Sequence, residues 1–253
     1  MRRRRWFAAV GGVGWVAAVG WPAVAVAAAP RERVMIVLTN TAKVPGSDRP
    51  TGVWASEYTD PYVVFTKAGF DVHVYSPRGG VAPIDPRSGS AERVQAIPSA
   101  WNKMRSTQPL AQAKLDDYAA VFLAGGHGTM WDFPDDPALK SIVEGAFERG
   151  LPLGAVCHGP AGLLSARKPD GTPWIAGRRV NGFTNAEERV AGMTSVVPFL
   201  LEDRLRAAGG KFESSGVFRR HVAVDGMLVT GQNPASADAV AETMVELIRA
   251  RHR

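Results

Sequence analysis

A single cysteine, Cys157, stands where a short apolar run ends and a helix-forming segment begins. The run covers residues 151–156, and the small residues Ala155 and Gly159 flank the cysteine two positions to either side. This spacing is typical of a nucleophile elbow, a strained strand-to-helix turn that holds a reactive side chain at the end of a sheet. Backbone N–H groups of the new helix would favour the thiolate over the thiol. Because His158 follows directly, we predict a nucleophile with an adjacent base; an inert buried thiol is the alternative.

A glycine-rich turn, Gly125-Gly126-His127-Gly128-Thr129, follows another predicted strand. Glycines let backbone N–H groups come close to a ligand, as an oxyanion hole requires. The spacing does not fit a dinucleotide-binding or phosphate-binding fingerprint. We therefore predict that Gly125, Gly126 and His127, together with Gly159, contact the substrate or its oxyanion. A turn with no role in binding is the alternative.

Acidic residues could complete such a site. Glu57 lies on a helix predicted after the first strand, where a single glutamate usually faces solvent. Glu187 and Glu188 follow Gly182-Phe183-Thr184-Asn185, and on their own they fit the acidic first turn of a helix. The residues alone leave the roles of these acids open.

The other histidines show no metal-binding pattern. No HExxH-type spacing occurs among them, and one cysteine excludes both a CxxC metal site and an intramolecular disulfide. We predict structural or surface positions, without metal ligation, for His73, His127, His221 and His252.

The first 29 residues have the layout of an export signal. Four arginines, Arg2 to Arg5, precede an uncharged stretch from Trp6 to Pro30 made mostly of Ala, Val and Gly. Small-x-small cleavage sites close this stretch, and Arg4-Arg5-Trp6-Phe7 also fits the core of a twin-arginine signal. We predict a signal peptide over residues 1–29 and an exported protein, periplasmic or secreted. An uncleaved membrane anchor is the alternative, because the stretch is long enough to span a bilayer.

Net charge argues against nucleic-acid binding. The chain has 30 Lys and Arg against 24 Asp and Glu, a formal charge of +6. Four of the arginines lie in the predicted leader, so residues 30–253 carry 26 basic and 24 acidic side chains, or +2. No dense basic stretch with interleaved aromatic residues remains. This length supports one domain with an ample hydrophobic core.

Strand-like and helix-like segments alternate along residues 30–253. Strand-like runs occur at 34–38, 71–75, 119–123 and 151–156. Helical patterns occur at 53–68, 136–148, 198–208 and 236–250, and a hairpin on Asp225-Gly226 joins 222–224 to 227–229. The alternation predicts an α/β fold, a three-layer sandwich with a mostly parallel central sheet. Sites in such sheets form at the carboxyl ends of strands, where Cys157 falls.

Residues 78–113 are too many for a simple connection between two elements. This segment is rich in Pro, Ser and charged residues. We predict that it is an insertion covering the site or an edge of the sheet.

In their order along the chain, six motifs resemble the ThiJ/PfpI superfamily, which has the class I glutamine-amidotransferase-like, flavodoxin-like fold. More narrowly, they are similar to the branch that holds the glutathione-independent glyoxalases, also called D-lactate dehydratases, and related stress chaperones. The resemblance spans roughly residues 34–250. The motifs are Thr51-Gly52-Val53-Trp54 through Glu57 with Asp60-Pro61-Tyr62, Gly125-Gly126-His127-Gly128, Ala155-Val156-Cys157-His158-Gly159-Pro160, Gly182-Phe183-Thr184-Asn185, Pro198-Phe199-Leu200-Leu201-Glu202 and Thr230-Gly231-Gln232-Asn233-Pro234.

The resemblance implies a catalytic set. Cys157 matches the nucleophile, His158 its partner, and Glu57 the glutamate whose carboxyl group contacts the sulfur. The acid that orients the histidine matches Glu188 rather than its neighbour Glu187, by its spacing within the motif.

The activity implied is conversion of a small dicarbonyl, methylglyoxal, to lactate through a cysteine hemithioacetal. This chemistry needs neither glutathione nor a metal or organic cofactor, and it extends to deglycation of early adducts on proteins. A homodimer is expected by analogy with relatives, and contact with a membrane only through an uncleaved leader. The alternatives are a cysteine amidase or peptidase, and an exported holding chaperone or oxidation sensor with little turnover.

Overall fold

A computed structural model describes residues 32–89 and 91–251. The predicted leader lies outside them. Within these ranges the strands are β1 (Arg33–Val37), β2 (Asp71–Ser76), β3 (Gln108–Pro109), β4 (Ala120–Leu123), β5 (Leu153–Val156), β6 (Arg179–Val180), β7 (Lys211–Phe212), β8 (Val222–Asp225) and β9 (Leu228–Gly231). The helices are α1 (Ala55–Lys67), α2 (Glu92–Gln95), α3 (Pro98–Arg105), α4 (Thr129–Asp132), α5 (Pro137–Glu148), α6 (Asn185–Val190), α7 (Leu201–Ala207) and α8 (Ala237–Ala250).

The central sheet has the strand order β3-β2-β1-β4-β5-β9-β8. All neighbouring strands in it run parallel except β8, which is antiparallel to β9. The carboxyl ends of β1, β4, β5 and β9 therefore meet at one edge of the sheet. Strands β6 and β7 form a separate parallel pair.

Helices cover both faces of the sheet, because its central strands are apolar on both sides. Along β1, Val34 and Ile36 belong to the core beneath α1 and α8, whereas Met35 and Val37 belong to the core beneath α5 and α7. All four side chains are fully buried. The prediction of an α/β sandwich with a mostly parallel sheet is therefore confirmed.

Two predicted helix starts are wrong by a few residues. Helix α1 begins at Ala55 rather than residue 53, because Val53 pairs with Ile84 in an isolated parallel bridge. Helix α7 begins at Leu201 rather than residue 198. The hairpin on Asp225-Gly226 joins β8 to β9 as predicted.

The segment 78–113 contributes to an edge of the sheet. It contains α2, α3 and β3, and β3 pairs with β2 at the end of the strand order. Its Arg87 also reaches the carboxyl-end cavity described below. Among residues 32–89 and 91–251, none of the helices is long and apolar enough to cross a membrane.

Candidate active site

Cys157 occupies a sharp turn between β5 and a short 3-10 helix. Its φ angle is 57°, a left-handed conformation that is costly for a residue with a side chain. The turn is fixed from both sides: the Cys157 N–H donates to the Gly231 carbonyl at 2.9 Å, and the Cys157 carbonyl accepts from the Phe183 N–H at 2.8 Å. A side chain at Gly159 would collide with the Leu123 carbonyl oxygen. The sharp strand-to-helix turn predicted at Cys157 is confirmed, and Gly159 serves its packing.

A buried hydrogen-bonded chain begins at the sulfur. Cys157 Sγ lies 3.2 Å from His158 Nδ1, and His158 Nε2 lies 2.8 Å from Glu188 Oε2. The second carboxylate oxygen, Glu188 Oε1, lies 2.8 Å from His127 Nε2. Glu188 therefore bridges two imidazoles whose ring centroids are 4.0 Å apart.

The charges along this chain follow from its partners. Burial alone would raise the pKa of Glu188, but attraction to His158 and hydrogen bonds from both imidazoles outweigh it and lower that pKa. Burial, reinforced by repulsion from His158, lowers the pKa of His127 to about 4. Arg87 Nη2 lies 3.1 Å from His127 Nδ1, and a guanidinium can only donate, so His127 is neutral and protonated on Nε2.

The same reasoning assigns the His158 tautomer. Because Nε2 faces the Glu188 carboxylate, the neutral form of the ring carries its proton there, and Nδ1 is then an acceptor that faces the sulfur. Proton transfer from Cys157 to Nδ1 would give an imidazolium beside that carboxylate. The geometry is thus suited to removing the thiol proton.

Glu187, the neighbouring acid, has a different position. Its Oε2 accepts from the Thr184 N–H and hydroxyl, both at 2.9 Å, and forms the capping box of α6. Its Oε1 accepts from the Phe218 N–H, Gln232 Nε2 and Asn233 Nδ2 at 2.8–2.9 Å. Glu188, not Glu187, contacts His158.

Glu57 is fully buried on α1, next to the sulfur. Neither carboxyl oxygen has a well-formed hydrogen bond among the described residues. Burial therefore raises the pKa of Glu57 well above its ordinary value, against the smaller opposing influence of Cys157 and the Gly125 backbone. A carboxyl group in this environment keeps its proton to higher pH than an exposed one.

The sequence-based expectation that the elbow favours the thiolate is wrong. Burial raises the pKa of Cys157 well above its ordinary value, and Glu57 raises it further wherever its carboxyl group is ionised. The helix that follows is a 3-10 helix of 5 residues, and such a short element provides little dipole to offset them. The sulfur thus rests as a thiol and depends on His158 for activation.

The glycine-rich turn lies against this pair of groups. A side chain at Gly125 would collide with Glu57 Oε2 and the Val156 carbonyl oxygen, so glycine is required where the turn passes the carboxyl group. Gly126, at φ 105°, packs closely against the backbone of residues 52–54. Of the predicted binding residues, Gly125 lies next to Cys157 Cβ and the Glu57 carboxyl group, and His127 lines the cavity.

A cavity of about 270 Å³ opens above Cys157. His127 and Arg87 form its polar side together with the sulfur. Its remaining lining is apolar and consists of Trp54, Phe183, Ala191, Phe218 and Pro234. The cavity therefore joins the Cys157 sulfur to a mostly hydrophobic wall.

Sequence reasoning missed Arg87 and its support. Asp85 is completely buried and holds the Arg87 guanidinium through contacts to Nε and Nη2. The pairing of Val53 with Ile84 brings this segment next to the turn that carries His127, because Gly126 of that turn packs against residues 52–54. No local pattern around Asp85-Pro86-Arg87 predicts that Arg87 lies near His127.

Among the described residues, His127, His158 and Glu188 place their ligand atoms within 4.8 Å of one another, close enough to share a metal ion. Both Glu188 oxygens already accept hydrogen bonds from the two Nε2 atoms. An ion could bind only by replacing both hydrogen bonds. The cluster is better described as a carboxylate that orients two imidazoles.

The chain is similar to proteins named as enzymes and to solved structures. It is 32% identical over 235 residues to the glutathione-independent glyoxalase HSP31 of Saccharomyces cerevisiae, covering 86% of this chain and 98% of the yeast protein. The X-ray structure of Francisella tularensis Rapid Encystment Protein 24 KDa matches with a TM-score of 0.82 and 35% identity, covering 86% of this chain and 99% of that one. The crystal structure of glyoxalase III from Candida albicans matches with a TM-score of 0.78 and 27% identity, covering 85% and 97%.

The match to a family model agrees with the shared fold. Residues 50–247 match the DJ-1/PfpI family, a range that contains the elbow, the glycine-rich turn and the acids around them. The protein therefore belongs to the DJ-1/PfpI family, as its motifs predicted.

Proposed function

We propose that the protein is a glutathione-independent glyoxalase that converts methylglyoxal to lactate at Cys157. The observation that carries the proposal is the position of the Cys157 thiol between a buried Glu57 carboxyl group and an oriented His158. Relatives named as glyoxalases support it over most of the chain. No external thiol is needed, because the protein supplies its own sulfur.

The first step forms a covalent adduct. The Cys157 sulfur attacks the aldehyde carbon while His158 Nδ1 accepts the thiol proton, and the imidazolium then returns that proton to the aldehyde oxygen, which becomes a hydroxyl group. The product is a hemithioacetal that still carries the neighbouring ketone. Glu188 stabilises the imidazolium through the 2.8 Å hydrogen bond to Nε2.

The second step moves a hydrogen between two carbons. A base removes the proton from the former aldehyde carbon while the ketone oxygen gains a proton, which gives an enediol. Protonation of the adjacent carbon, with loss of the proton from the first hydroxyl group, then gives a lactyl thioester. His158 and Glu57 share these transfers, since one must accept and the other return a proton. Water then hydrolyses the thioester, which releases lactate and restores the thiol.

The direct test measures lactate from methylglyoxal with purified, reduced protein and no glutathione. Catalytic lactate formation is expected, with loss of at least about 100-fold in kcat/KM for both Cys157→Ala and Glu57→Gln. Glu242→Gln, on the exposed face of α8, is the matched carboxyl-to-amide control and should retain activity.

Absence of lactate from folded, reduced protein would refute the proposal. Burst acylation by an activated ester would then indicate an amidase or peptidase. Suppression of aggregation that persists in Cys157→Ala would instead indicate a holding chaperone.

The proposal includes export through residues 1–29 and a homodimeric state. The leader composition supports export, and analogy with the family supports the dimer. N-terminal sequencing of protein from the extracytoplasmic fraction tests the former, and analytical ultracentrifugation the latter.

A further inference from the structure

The cavity is larger than methylglyoxal requires. Its volume of about 270 Å³ equals that of about nine water molecules at roughly 30 Å³ each. Methylglyoxal has five non-hydrogen atoms, whereas a 2-oxoaldehyde with a phenyl substituent has ten. The space beyond the two carbonyl groups would stay empty or hydrated with the smaller substrate.

That additional space is bounded by aromatic rings. Trp54, Phe183 and Phe218 line the cavity, and the Phe183 and Phe218 ring centroids are 6.1 Å apart. The Phe183 ring lies 4.5 Å from the His158 ring, so this apolar wall begins next to the catalytic pair. An apolar or aromatic substituent bound against this wall would be stabilised by burial of its apolar surface and by contacts with the aromatic rings.

The backbone of Phe218, which lies in this wall, has a strained conformation. Its φ angle is 54°, which is unfavourable for a residue with a side chain, and its ring is substantially exposed. The 2.8 Å hydrogen bond from its N–H to the buried Glu187 fixes the backbone there. An exposed aromatic side chain in a strained conformation at a cavity mouth is well placed to contact a ligand.

We infer that the site is built for 2-oxoaldehydes with an aromatic or bulky apolar substituent, and that Phe218 determines this specificity. The inference rests on the proposed glyoxalase function and adds the substrate class. The two carbonyl groups lie at Cys157 and His127, and the substituent lies among Trp54, Phe183 and Phe218.

The test compares initial rates with phenylglyoxal and methylglyoxal, without glutathione, by measuring mandelate and lactate. The wild type is expected to have at least about tenfold higher kcat/KM for phenylglyoxal. Phe218→Ala should lower that value about tenfold and lower the methylglyoxal value by a smaller factor. Phe218→Leu keeps an apolar side chain, so its kcat/KM for phenylglyoxal should lie between the values of the wild type and Phe218→Ala.

Val217→Ala is the matched control, because Val217 is an exposed neighbour in the same loop and does not line the cavity. It should leave both values unchanged. Mandelate should also inhibit methylglyoxal turnover more strongly than lactate does, and Phe218→Ala should remove the difference.

Two results would overturn the inference, and they differ in what they say about the function. Turnover of methylglyoxal with no preference for phenylglyoxal, or equal losses for both in Phe218→Ala, would refute the substrate class and leave the glyoxalase function intact. Turnover of neither aldehyde would refute both.

Discussion

Glu188 uses both oxygens of one carboxylate to set the protonation of two histidines. Its Oε2 accepts from His158 and its Oε1 from His127, each at 2.8 Å. Because ordinary histidines can carry a proton on either nitrogen, the carboxylate selects the tautomer that leaves His158 Nδ1 free to accept from Cys157. A buried ionised acid is stable here only because both imidazoles pair with it.

Glu188→Gln is expected to lower kcat by about 100-fold to 10,000-fold, since an amide cannot accept from both Nε2–H groups through its two ends. One imidazole must then change tautomer, and the thiol loses its acceptor. KM should change far less than kcat, because Glu188 does not line the cavity. Steady-state kinetics with methylglyoxal measure the changes in kcat and KM separately. A rise in KM at constant kcat would contradict this role of Glu188.

At the scale of elements, the first turn of α6 carries two acids with separate tasks. Glu188 points to the histidines, whereas Glu187 ties α6 to the Phe218 loop and to Gln232 after β9. The sequence predicts that both acids lie on one helical turn. The residues alone do not show which of the two contacts His158. Their directions depend on how the preceding loop enters the helix, which the capping box at Thr184 fixes.

Glu187→Gln tests the anchoring of this loop. We expect a loss of about 1–3 kcal/mol in the free energy of unfolding, because the amide cannot accept every hydrogen bond that the carboxylate accepts. Backbone amides around Phe218 should exchange hydrogen faster, and phenylglyoxal turnover should fall more than methylglyoxal turnover. Thr184→Ala removes the cap and the hydroxyl that donates to Glu187 Oε2, but it leaves the Oε1 hydrogen bonds to the loop, so it should cost about 1 kcal/mol and spare the loop.

Apolar patterning predicted most of the sheet, because buried parallel strands form continuous runs such as β1 and β5. Strands of 2 residues, β3, β6 and β7, carry too little pattern to detect. The elbow and its cysteine were predictable from local spacing. Arg87 and Phe218 were not, because long-range pairing and a hydrogen bond to Glu187 bring them to the cavity.

At the scale of the whole molecule, two acids of the site change the free energy of unfolding with pH in opposite directions. Glu188 has a lowered pKa in the folded protein, so it stabilises the fold above its ordinary pKa, and this contribution is lost as the pH falls below that value. Glu57 has a raised pKa, so the folded state binds its proton more tightly than the unfolded state. The contribution of Glu57 to the stability of the fold is therefore most favourable at low pH, and it is lost as the pH rises above about 4.5.

Glu57→Gln should therefore make the protein inactive but more stable, and the gain should grow with pH. Between pH 4.5 and the raised pKa of Glu57, the wild type loses up to about 1.4 kcal/mol per pH unit that the neutral amide does not lose. We expect the Tm difference between Glu57→Gln and wild type to be larger at pH 7 than at pH 5, in favour of the variant. Thermal unfolding of wild type, Glu57→Gln and the exposed control Glu242→Gln at several pH values between 5 and 8 measures it. A Tm difference between Glu57→Gln and wild type that stays constant or shrinks with pH would mean that Glu57 is ionised in the folded protein, and its role as a proton carrier would fail with it.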